Sequence, residues 1–373
     1  MINIATVFSG IGAPEEALRQ LGIEFNIIFA SDNGERELTK KLFGETGEHK
    51  DDAITYEEIL EATRGFAYGE VQKYVEDLYK KTKKENLVKA SYFANHNISE
   101  DRWYEDMRFI DGKRYRGQVD ILIGGSPCQS FSTYGKKKGF DDTRGTLFFH
   151  YATLIKDLKP KVFIYENVVG LISHDKGKTW TRIQEIFDEL NYDIKFKILN
   201  AADYGLPQNR QRVFVVGFEK DYGIIDFEFP EKQELTTTVA DYLSPTVDKK
   251  YYLGRKGFEW VTTKEKHEGR SRVNRDVMCC QTANQQFNWT GDFRLEDPTD
   301  EFREDKRIFV GTYQGEEKVA RKLTPKECLR LMGFDDFKIV VNDVNAYRQS
   351  GNSIAVPVLK RLFKAIFDKV DFK

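Results

Sequence analysis

The chain has 373 residues, of which 40% are apolar and 32% charged, and 58 basic and 60 acidic side chains give a formal net charge of −2. This length allows one large or two ordinary domains, and the apolar fraction is enough for a sizeable core. No apolar run reaches the roughly 18 residues of a membrane span and the opening MINIATVFSG has no basic start, so we expect a soluble, cytoplasmic protein without a membrane partner.

The four cysteines indicate neither a metal site nor a disulfide framework. Cys279 and Cys280 are adjacent, Cys128 and Cys328 are isolated, and no CxxC or paired-histidine spacing typical of zinc is present. We therefore expect reduced thiols and no metal cofactor.

The distribution of charge is more informative than its sum. A near-neutral chain argues against a nucleic-acid partner, but residues 249–275 carry nine Lys or Arg against three Glu. On charge alone, an ordinary solvated surface explains this run equally well.

The first 230 residues alternate between strand and helix patterns. In chain order the pattern predicts strand Ile2–Phe8, helix Glu15–Leu21, strands Phe25–Ala30 and Val119–Ile123, helix Leu147–Leu158, strand Val162–Tyr165, helix Thr181–Leu190 and strand Arg212–Gly217. This alternation indicates an α/β fold with a mostly parallel sheet and helices on both faces. Ligands of such sheets bind outside the carboxyl ends of the strands.

Two stretches interrupt this alternation. Residues 45–105 contain one amphipathic helical face and predict an inserted helical segment, whose simplest role is packing; the face is formed by Val71, Tyr74, Val75, Leu78 and Tyr79. Residues 238–341 are rich in Thr, Tyr, Gln, Asn and Arg and predict a smaller, loop-rich domain. Within it, Thr324 to Glu327 form a capping box that starts a helix, which Gly333 ends. Residues 1–237 and 342–373 would form the main domain.

The segment FSGIGA, residues 8–13, predicts a turn between a strand and a helix. Gly10 and Gly12 would let the backbone approach a ligand, and Asp32, at the end of the next strand, could bind two ribose hydroxyls. A full GxGxxG is missing and no basic residue stands ready for a pyrophosphate. The pattern therefore favours a nucleoside cofactor such as S-adenosylmethionine over NAD and a dehydrogenase; the alternative is a purely structural turn.

Cys128 follows a proline where the strand Val119–Ile123 meets a loop, which is a position suited to a nucleophile. Glu166 follows another strand and should emerge at the same edge of the sheet. A thiol that attacks and an acid that protonates suit addition to an electron-poor ring such as cytosine. The alternative for Glu166 is a salt bridge at the strand end.

Arg210 and Arg212 lie in the segment QNRQRVF, where an extended backbone would send both side chains in the same direction. Their guanidinium groups suit a base carbonyl, a phosphate or the carboxylate of Glu166. Taken alone, this pair is as well explained by structural ion pairing.

Together these segments form an ordered series that resembles the DNA cytosine-C5 methyltransferases over nearly the whole chain. FSGIGA is similar to the first cofactor motif, GGSPCQSFS to the motif with the catalytic cysteine, ENV at 166–168 and QNRQR at 208–212 to two active-site motifs. RKLTPKECLRLMGF and AYRQSGNSIAVPV resemble the two closing motifs. The sequence departs from the family pattern in four places. Thr6 stands where an acidic residue is common, and Asn33 where an aromatic residue is common. Asp335 follows Phe334 where a proline is common, and the Thr-Leu pair that is common in the recognition domain has only CCQTANQQ as its nearest match.

The resemblance implies a role for each matching catalytic residue. Cys128 would attack C6 of a cytosine flipped out of the duplex, and Glu166 would contact its N3 and amino group. Asn167 would support the active-site loops, Arg212 would hold the cytosine O2, and Arg210 would stabilise the site. The methyl group would pass from S-adenosylmethionine to C5, leaving S-adenosylhomocysteine.

The resemblance also implies the binding residues. The cofactor pocket would be lined by Phe8, Gly10, Ile11, Gly12, Asp32, Asn33, Asp106, Met107, Pro127, Leu147, Asn352 and Ser353. The segment STYGKKKGF, residues 132–140, would be a mobile loop that closes over DNA. The residues expected to contact DNA in and beside this loop are Gln129, Ser132, Lys136, Lys137, Lys138 and Arg144. In the recognition domain, Gln281, Asn284 and Arg294 are chemically suited to base edges.

The sequence is therefore expected to encode a monomeric, sequence-specific DNA cytosine-5 methyltransferase of prokaryotic or phage origin, from a restriction–modification system with a separate endonuclease. One alternative is a tRNA methyltransferase of the same fold, against which the separate recognition domain argues. The other is an inactive relative that only binds DNA, against which the intact Cys128, Glu166, Arg210 and Arg212 argue.

Overall fold

The computed structural model describes residues 1–36, 38, 54–126, 147–223, 226–263, 271–284 and 291–372. The strands are β1 Ile2–Val7, β2 Phe25–Ser31, β3 Trp103–Tyr104, β4 Ile121–Gly124, β5 Val162–Val168, β6 Tyr192–Asn200, β7 Gln208–Asn209, β8 Gln211–Glu219, β9 Ser271–Val273, β10 Met278–Cys279, β11 Gly291–Glu296, β12 Gly311–Tyr313 and β13 Glu316–Lys322. The helices are α1 Ala13–Gln20, α2 Tyr56–Ala62, α3 Tyr68–Lys81, α4 Leu87–Asn95, α5 Leu147–Leu158, α6 Gly170–Ser173, α7 Lys178–Glu189, α8 Arg255–Thr262, α9 Asp300–Glu304, α10 Pro325–Arg330, α11 Asp343–Asn352 and α12 Val356–Phe367.

The largest sheet has seven strands in the order β3-β2-β1-β4-β5-β8-β6. The first five are parallel neighbours, and β8 runs antiparallel to β5. The carboxyl ends of the five parallel strands therefore lie at one edge, where ligands of such sheets bind. The predicted α/β class is confirmed.

This sheet belongs to the first of two compact units, which comprises Met1–Ile198, Arg212–Glu228 and Ile366–Lys373. Its central strands are buried on both faces, as a near-continuous apolar run predicts for a parallel sheet. The core includes aromatic side chains from α5 and β5, such as Phe148, Tyr151, Phe163 and Tyr165. Helix α5 has the predicted bounds.

The described part of the inserted segment, residues 54–105, contains helices α2, α3 and α4. Helices α2 and α3 pack around a small apolar cluster, and the predicted amphipathic face supplies much of it; the buried members are Leu38, Ile59, Val75, Tyr79 and Phe109. Helix α4 follows, with Asn86 as its N-cap.

The second unit comprises Leu199–Gln211 and Phe229–Ala365. It contains a four-stranded sheet in the order β12-β13-β11-β9, where the sequence indicated mainly loops. The capping box at Thr324 and Glu327 is present, and helix α10 ends before Gly333, which has φ +88°. The predicted domain bounds stay a prediction.

Among the described residues, no helix is both long enough and apolar enough to cross a membrane.

Candidate active site

The turn between β1 and α1 adopts an unusual backbone conformation. Gly10 and Gly12 have φ of +54° and +81°, and Phe8 also lies in the left-handed region at +52°. A non-glycine residue there costs about 1–3 kcal/mol, and such strain is concentrated at ligand sites. The Gly12 N–H closes the turn on the Ser9 carbonyl at 3.0 Å. Phe8, Gly10, Ile11 and Gly12 thus form one tight turn at the predicted binding edge.

Asp32 follows β2 and is fixed against this turn. Its Oδ2 accepts the Gly10 N–H at 2.9 Å, and its Oδ1 accepts the Gly34 N–H at 2.8 Å. Burial raises the pKa of the Asp32 carboxyl, and the two N–H donors oppose that shift. A carboxylate has about four lone-pair positions, so these two bonds leave capacity for two hydroxyl donors. This arrangement fits the predicted ribose contact.

Asp106 and Met107 follow β3 and are buried. The Asp106 carboxylate accepts hydrogen bonds from Arg108, with 2.9 Å between Oδ1 and Nε, and from the Tyr79 hydroxyl at 3.0 Å. The side chain of Asn33 is occupied locally: its amide nitrogen donates to the Arg36 carbonyl at 2.7 Å. Contacts of Asn33, Asp106 and Met107 with a cofactor stay predictions.

Glu166 and Arg212 form an ion pair, with 3.1 Å between Oε1 and Nε. In the antiparallel pairing of β5 with β8, Glu166 lies opposite Phe214 and Val168 opposite Arg212. The two charged side chains are therefore diagonal neighbours on one face of the sheet. Both are largely buried, with 14% and 18% of the side chains exposed.

The segment that leads to Cys128 passes directly beside Glu166. A Cβ atom at Gly125 would lie 2.4 Å from the Glu166 carbonyl oxygen and 3.1 Å from Oε2, so only glycine fits there. The Cys128 side chain itself lies outside the described residues, as do Pro127, Gln129, Ser132, Lys136, Lys137, Lys138 and Arg144. Leu147 is the first residue of α5 and is half-buried.

Asn167 anchors this segment. Its amide nitrogen donates to the Ser126 carbonyl at 2.8 Å and to the Tyr165 hydroxyl at 2.9 Å, and its Oδ1 accepts the Val168 N–H at 2.9 Å. The Ser126 hydroxyl also bonds to that of Tyr165 at 2.8 Å. Since Ser126 is two residues before Cys128, these bonds support the predicted role of Asn167.

Of the two arginines of QNRQR, only Arg212 lies within a strand. Strand β7 ends at Asn209 and β8 begins at Gln211, so Arg210 lies between them and belongs to the second unit. There it is 3% exposed and donates to the carbonyls of Gln281 at 2.8 Å, Gly351 at 3.1 Å and Ser353 at 2.6 Å. Arg210 therefore connects two chain segments of that unit.

The three residues predicted to read bases have different environments. Gln281 is 1% exposed and its amide nitrogen donates to the Ser350 hydroxyl, so a base contact would require it to leave the interior. Arg294 is half-buried and donates to the Arg275 carbonyl at 3.3 Å, whereas Asn284 is exposed.

Of the two predicted cofactor residues in the second unit, Asn352 is exposed and Ser353 is buried. The roles of all five stay predictions.

Sequence reasoning missed several side chains that support the site, including Tyr79, Asn86, Tyr92 and His96 of the inserted segment and Glu15 of α1. Their partners are distant in sequence, and no local pattern indicates them. Only Glu15, in the helix that follows the glycine turn, stands close to a recognised motif. Within the described part of the chain, no group of His, Cys, Asp and Glu is arranged to hold a metal ion.

A sequence model of the family C-5 cytosine-specific DNA methylase matches residues 54–368. The chain is 37% identical over 291 residues to the Type II methyltransferase M1.ScrFI of Lactococcus lactis subsp. cremoris, covering 75% of this chain and 69% of that protein. It is 38% identical over 304 residues to the Type II methyltransferase M.HpaII of Haemophilus parainfluenzae, covering 76% and 81%.

Solved structures show the same fold. A DNMT2 mutant from Spodoptera frugiperda matches with a TM-score of 0.65 and 17% identity, over 98% of this chain and 100% of that one. The Entamoeba histolytica methyltransferase EhMeth matches with a TM-score of 0.62 and 18% identity, over 99% and 98%. At these identities the likeness concerns the fold alone.

Proposed function

The chain belongs to the C-5 cytosine-specific DNA methylases and is a DNA (cytosine-5-)-methyltransferase, and we propose that it methylates cytosine within a specific duplex sequence, with S-adenosylmethionine as methyl donor. The observation that carries the proposal is the Glu166–Arg212 pair beside Gly125, three residues before Cys128. This pair supports the proposal because it supplies an acid and a guanidinium that could bind a base, both close in the structure to Gly125.

In the proposed reaction, the Cys128 thiolate adds to C6 of a flipped cytosine. The C5–C6 π bond breaks, and its electron pair moves to C5 while Glu166 gives or shares a proton with N3. Arg212 holds Glu166 through Nε, and other N–H groups of its guanidinium would donate to the cytosine O2. Asn167 keeps the cysteine segment in place through the Ser126 carbonyl.

Bound S-adenosylmethionine supplies an electrophilic methyl group, and S-adenosylhomocysteine is the product. C5 takes the methyl group, a base removes the C5 proton, the double bond re-forms, and the Cys128 thiolate leaves. Asp32 would bind the ribose hydroxyls through the lone pairs that Gly10 and Gly34 leave available. Phe8, Ile11 and Gly12 would line the turn; the further contacts would come from Asn33, Asp106, Met107, Pro127, Leu147, Asn352 and Ser353.

The proposed partner is double-stranded DNA. Its phosphates and bases would be met by Gln129, Ser132, Lys136, Lys137, Lys138, Arg144, Asn284 and Arg294, and by Gln281 if it leaves the interior. Two similar relatives are named Type II methyltransferases, which supports our proposal that this protein belongs to a restriction–modification system with a separate endonuclease. We further propose that it acts as a monomer in the cytoplasm of a prokaryote and is encoded by the prokaryote or by a phage.

Methyl transfer from tritium-labelled S-adenosylmethionine tests this function. We expect label in duplex DNA, at C5 of cytosine, and none in tRNA; Cys128→Ala should abolish transfer while Cys328→Ala, a buried cysteine outside the proposed site, retains it. Label in tRNA alone, or full activity of Cys128→Ala, would contradict the proposal.

A further inference from the structure

The inserted segment directs three side chains toward the proposed methyl-donor site. They lie on or next to α4: Asn86 is its N-cap, Tyr92 lies within it, and His96 follows its last residue. Asn86 forms a hydrogen bond with Asp32, Tyr92 with Glu15 of α1, and His96 with Ile11 of the glycine turn. The sequence alone indicated only a packing role for this segment.

Asn86 fixes the backbone around Asp32. Its amide nitrogen donates to the Asp32 carbonyl oxygen at 2.8 Å and to Glu105 Oε2 at 2.8 Å, and its Oδ1 accepts the Lys89 N–H at 3.0 Å. A Cβ atom at Gly34 would lie 2.3 Å from Asn86 Oδ1, so the amide packs directly on the turn whose N–H binds the Asp32 carboxylate.

Tyr92 reaches the glycine turn through a buried chain of hydrogen bonds. Its hydroxyl donates to Glu15 Oε1 at 2.6 Å, and the Thr6 hydroxyl donates to the same oxygen at 2.9 Å. Thr6 Oγ1 is 2.8 Å from Ser9 Oγ, within the turn. Burial raises the pKa of Tyr92, so its hydroxyl remains a donor. Glu15 thus brings a carboxylate to Thr6, the position where the family pattern often has an acidic residue.

His96 packs against the turn itself. Its Nε2 is 2.9 Å from the Ile11 carbonyl oxygen, and because a carbonyl only accepts, Nε2 must carry the proton. A Cβ atom at Gly12 would lie 2.1 Å from Nε2, so the ring occupies the space that any side chain at Gly12 would need. The imidazole of His96 can therefore occupy this position only because residue 12 has no side chain.

We propose that Asn86, Tyr92 and His96 are positioning residues through which the inserted segment holds the glycine turn and Asp32 in the geometry that binds S-adenosylmethionine. The proposal rests on the proposed function of this site. These residues act through the turn and need not touch the reacting atoms. Their loss should weaken cofactor binding and leave the chemistry at saturating cofactor unchanged.

Four variants test the proposal in the full-length protein. Tyr92→Phe removes one hydroxyl, and His96→Ala removes the donor to Ile11, whereas His96→Gln keeps a nitrogen donor of similar reach. Tyr74→Phe is the matched control, since Tyr74 also lies in the inserted helices but its hydroxyl makes no hydrogen bond within the described part of the chain. The measurements are Kd for S-adenosylhomocysteine by calorimetry, and KM and kcat with duplex DNA.

We expect Tyr92→Phe and His96→Ala to raise Kd and KM about fivefold or more, with kcat within about twofold of wild type. His96→Gln should return both constants to within about twofold, and Tyr74→Phe should match wild type. Wild-type affinity in Tyr92→Phe and His96→Ala would overturn the proposal. A loss of kcat and thermal stability as large as the loss of affinity, with no rescue by His96→Gln, would overturn it as well. A wild-type protein that does not bind S-adenosylhomocysteine would instead overturn the proposed function.

Discussion

Glu166 and Arg212 are diagonal neighbours on antiparallel strands, and their ion pair fixes the carboxyl group that would protonate the base. Glu166→Gln keeps the side-chain volume but removes the acidic proton and the charge. We therefore expect kcat to fall by at least about 100-fold, the usual contribution of a general acid. Single-turnover methyl transfer measures this, with S-adenosylhomocysteine affinity as the control. A rate within tenfold of wild type would show that no acid is needed at this position.

Asp32 should set a lower pH limit for cofactor binding. Burial raises the pKa of its carboxyl above the ordinary 3.8, against the opposing effect of the Gly34 and Gly10 N–H groups. Only the ionised carboxylate offers all its lone pairs to ribose hydroxyls, so affinity is full above the raised pKa and is lost as the pH falls through it. Kd for S-adenosylhomocysteine is measured from pH 8 downwards. Below the raised pKa of Asp32, Kd should increase by up to about tenfold for each pH unit. Affinity that stays constant down to the ordinary carboxyl pKa of 3.8 would contradict this role.

At the level of single residues, the sequence could predict the site residues at strand ends and little else of the site. Asp32 and Glu166 were found because parallel strands bring their carboxyl ends to one edge, whatever the loops do. The supporting contacts of Tyr92 with Glu15 and of His96 with Ile11 join residues 77 and 85 positions apart. Such pairs depend on how the inserted segment packs, which no local pattern records.

Among the elements, helix α10 shows how a local signal becomes part of a buried network. Its N-cap Thr324 accepts the Glu327 N–H, while the Glu327 carboxylate also binds Arg321 and the Ser244 N–H. Glu327 is fully buried and Arg321 is 1% exposed. Arg321 also pairs with Glu296, with 2.5 Å between Nε and Oε1, so loss of the Glu327 charge would leave the buried guanidinium with one carboxylate partner instead of two.

We therefore predict that Thr324→Ala lowers the free energy of unfolding by about 1 kcal/mol, the usual cost of losing an N-cap. Glu327→Gln should cost about 2 kcal/mol or more, because Arg321 loses its buried charged partner and keeps only Glu296. Urea unfolding of both variants measures the difference. Equal costs would show that the ion pair adds nothing to the capping box.

The helices and inner strands agreed with prediction better than the edges did. Helix α5 and the buried strands β4 and β5 have strong apolar patterns. Strand β6 lies at the sheet edge and was not predicted, although Phe196 and Ile198 alternate with lysines as in a strand. These two apolar side chains are 44% and 43% exposed. The sheet of the second unit was missed because its short strands are rich in polar residues.

Over the whole molecule, the basic run 249–275 proves to be partly neutralised. Lys249 pairs with Glu301 at 2.7 Å, Lys250 with Asp343 at 2.7 Å, and Arg255 with Glu259 at 3.6 Å. We therefore expect few phosphate contacts and a log–log slope of DNA affinity against salt shallower than about −8. Titration of a cognate duplex from low to high salt measures it, and a slope of about −8 or steeper would contradict this expectation.

Covalent trapping tests the central claim most directly. The protein is mixed with S-adenosylmethionine and random duplexes that contain 5-fluorocytosine, in which fluorine replaces the proton that must leave C5. We predict a denaturation-resistant adduct that forms with the wild type and not with Cys128→Ser, and the trapped DNA would give the target sequence. Absence of an adduct from a protein that still binds DNA, or an adduct with tRNA alone, would contradict the account.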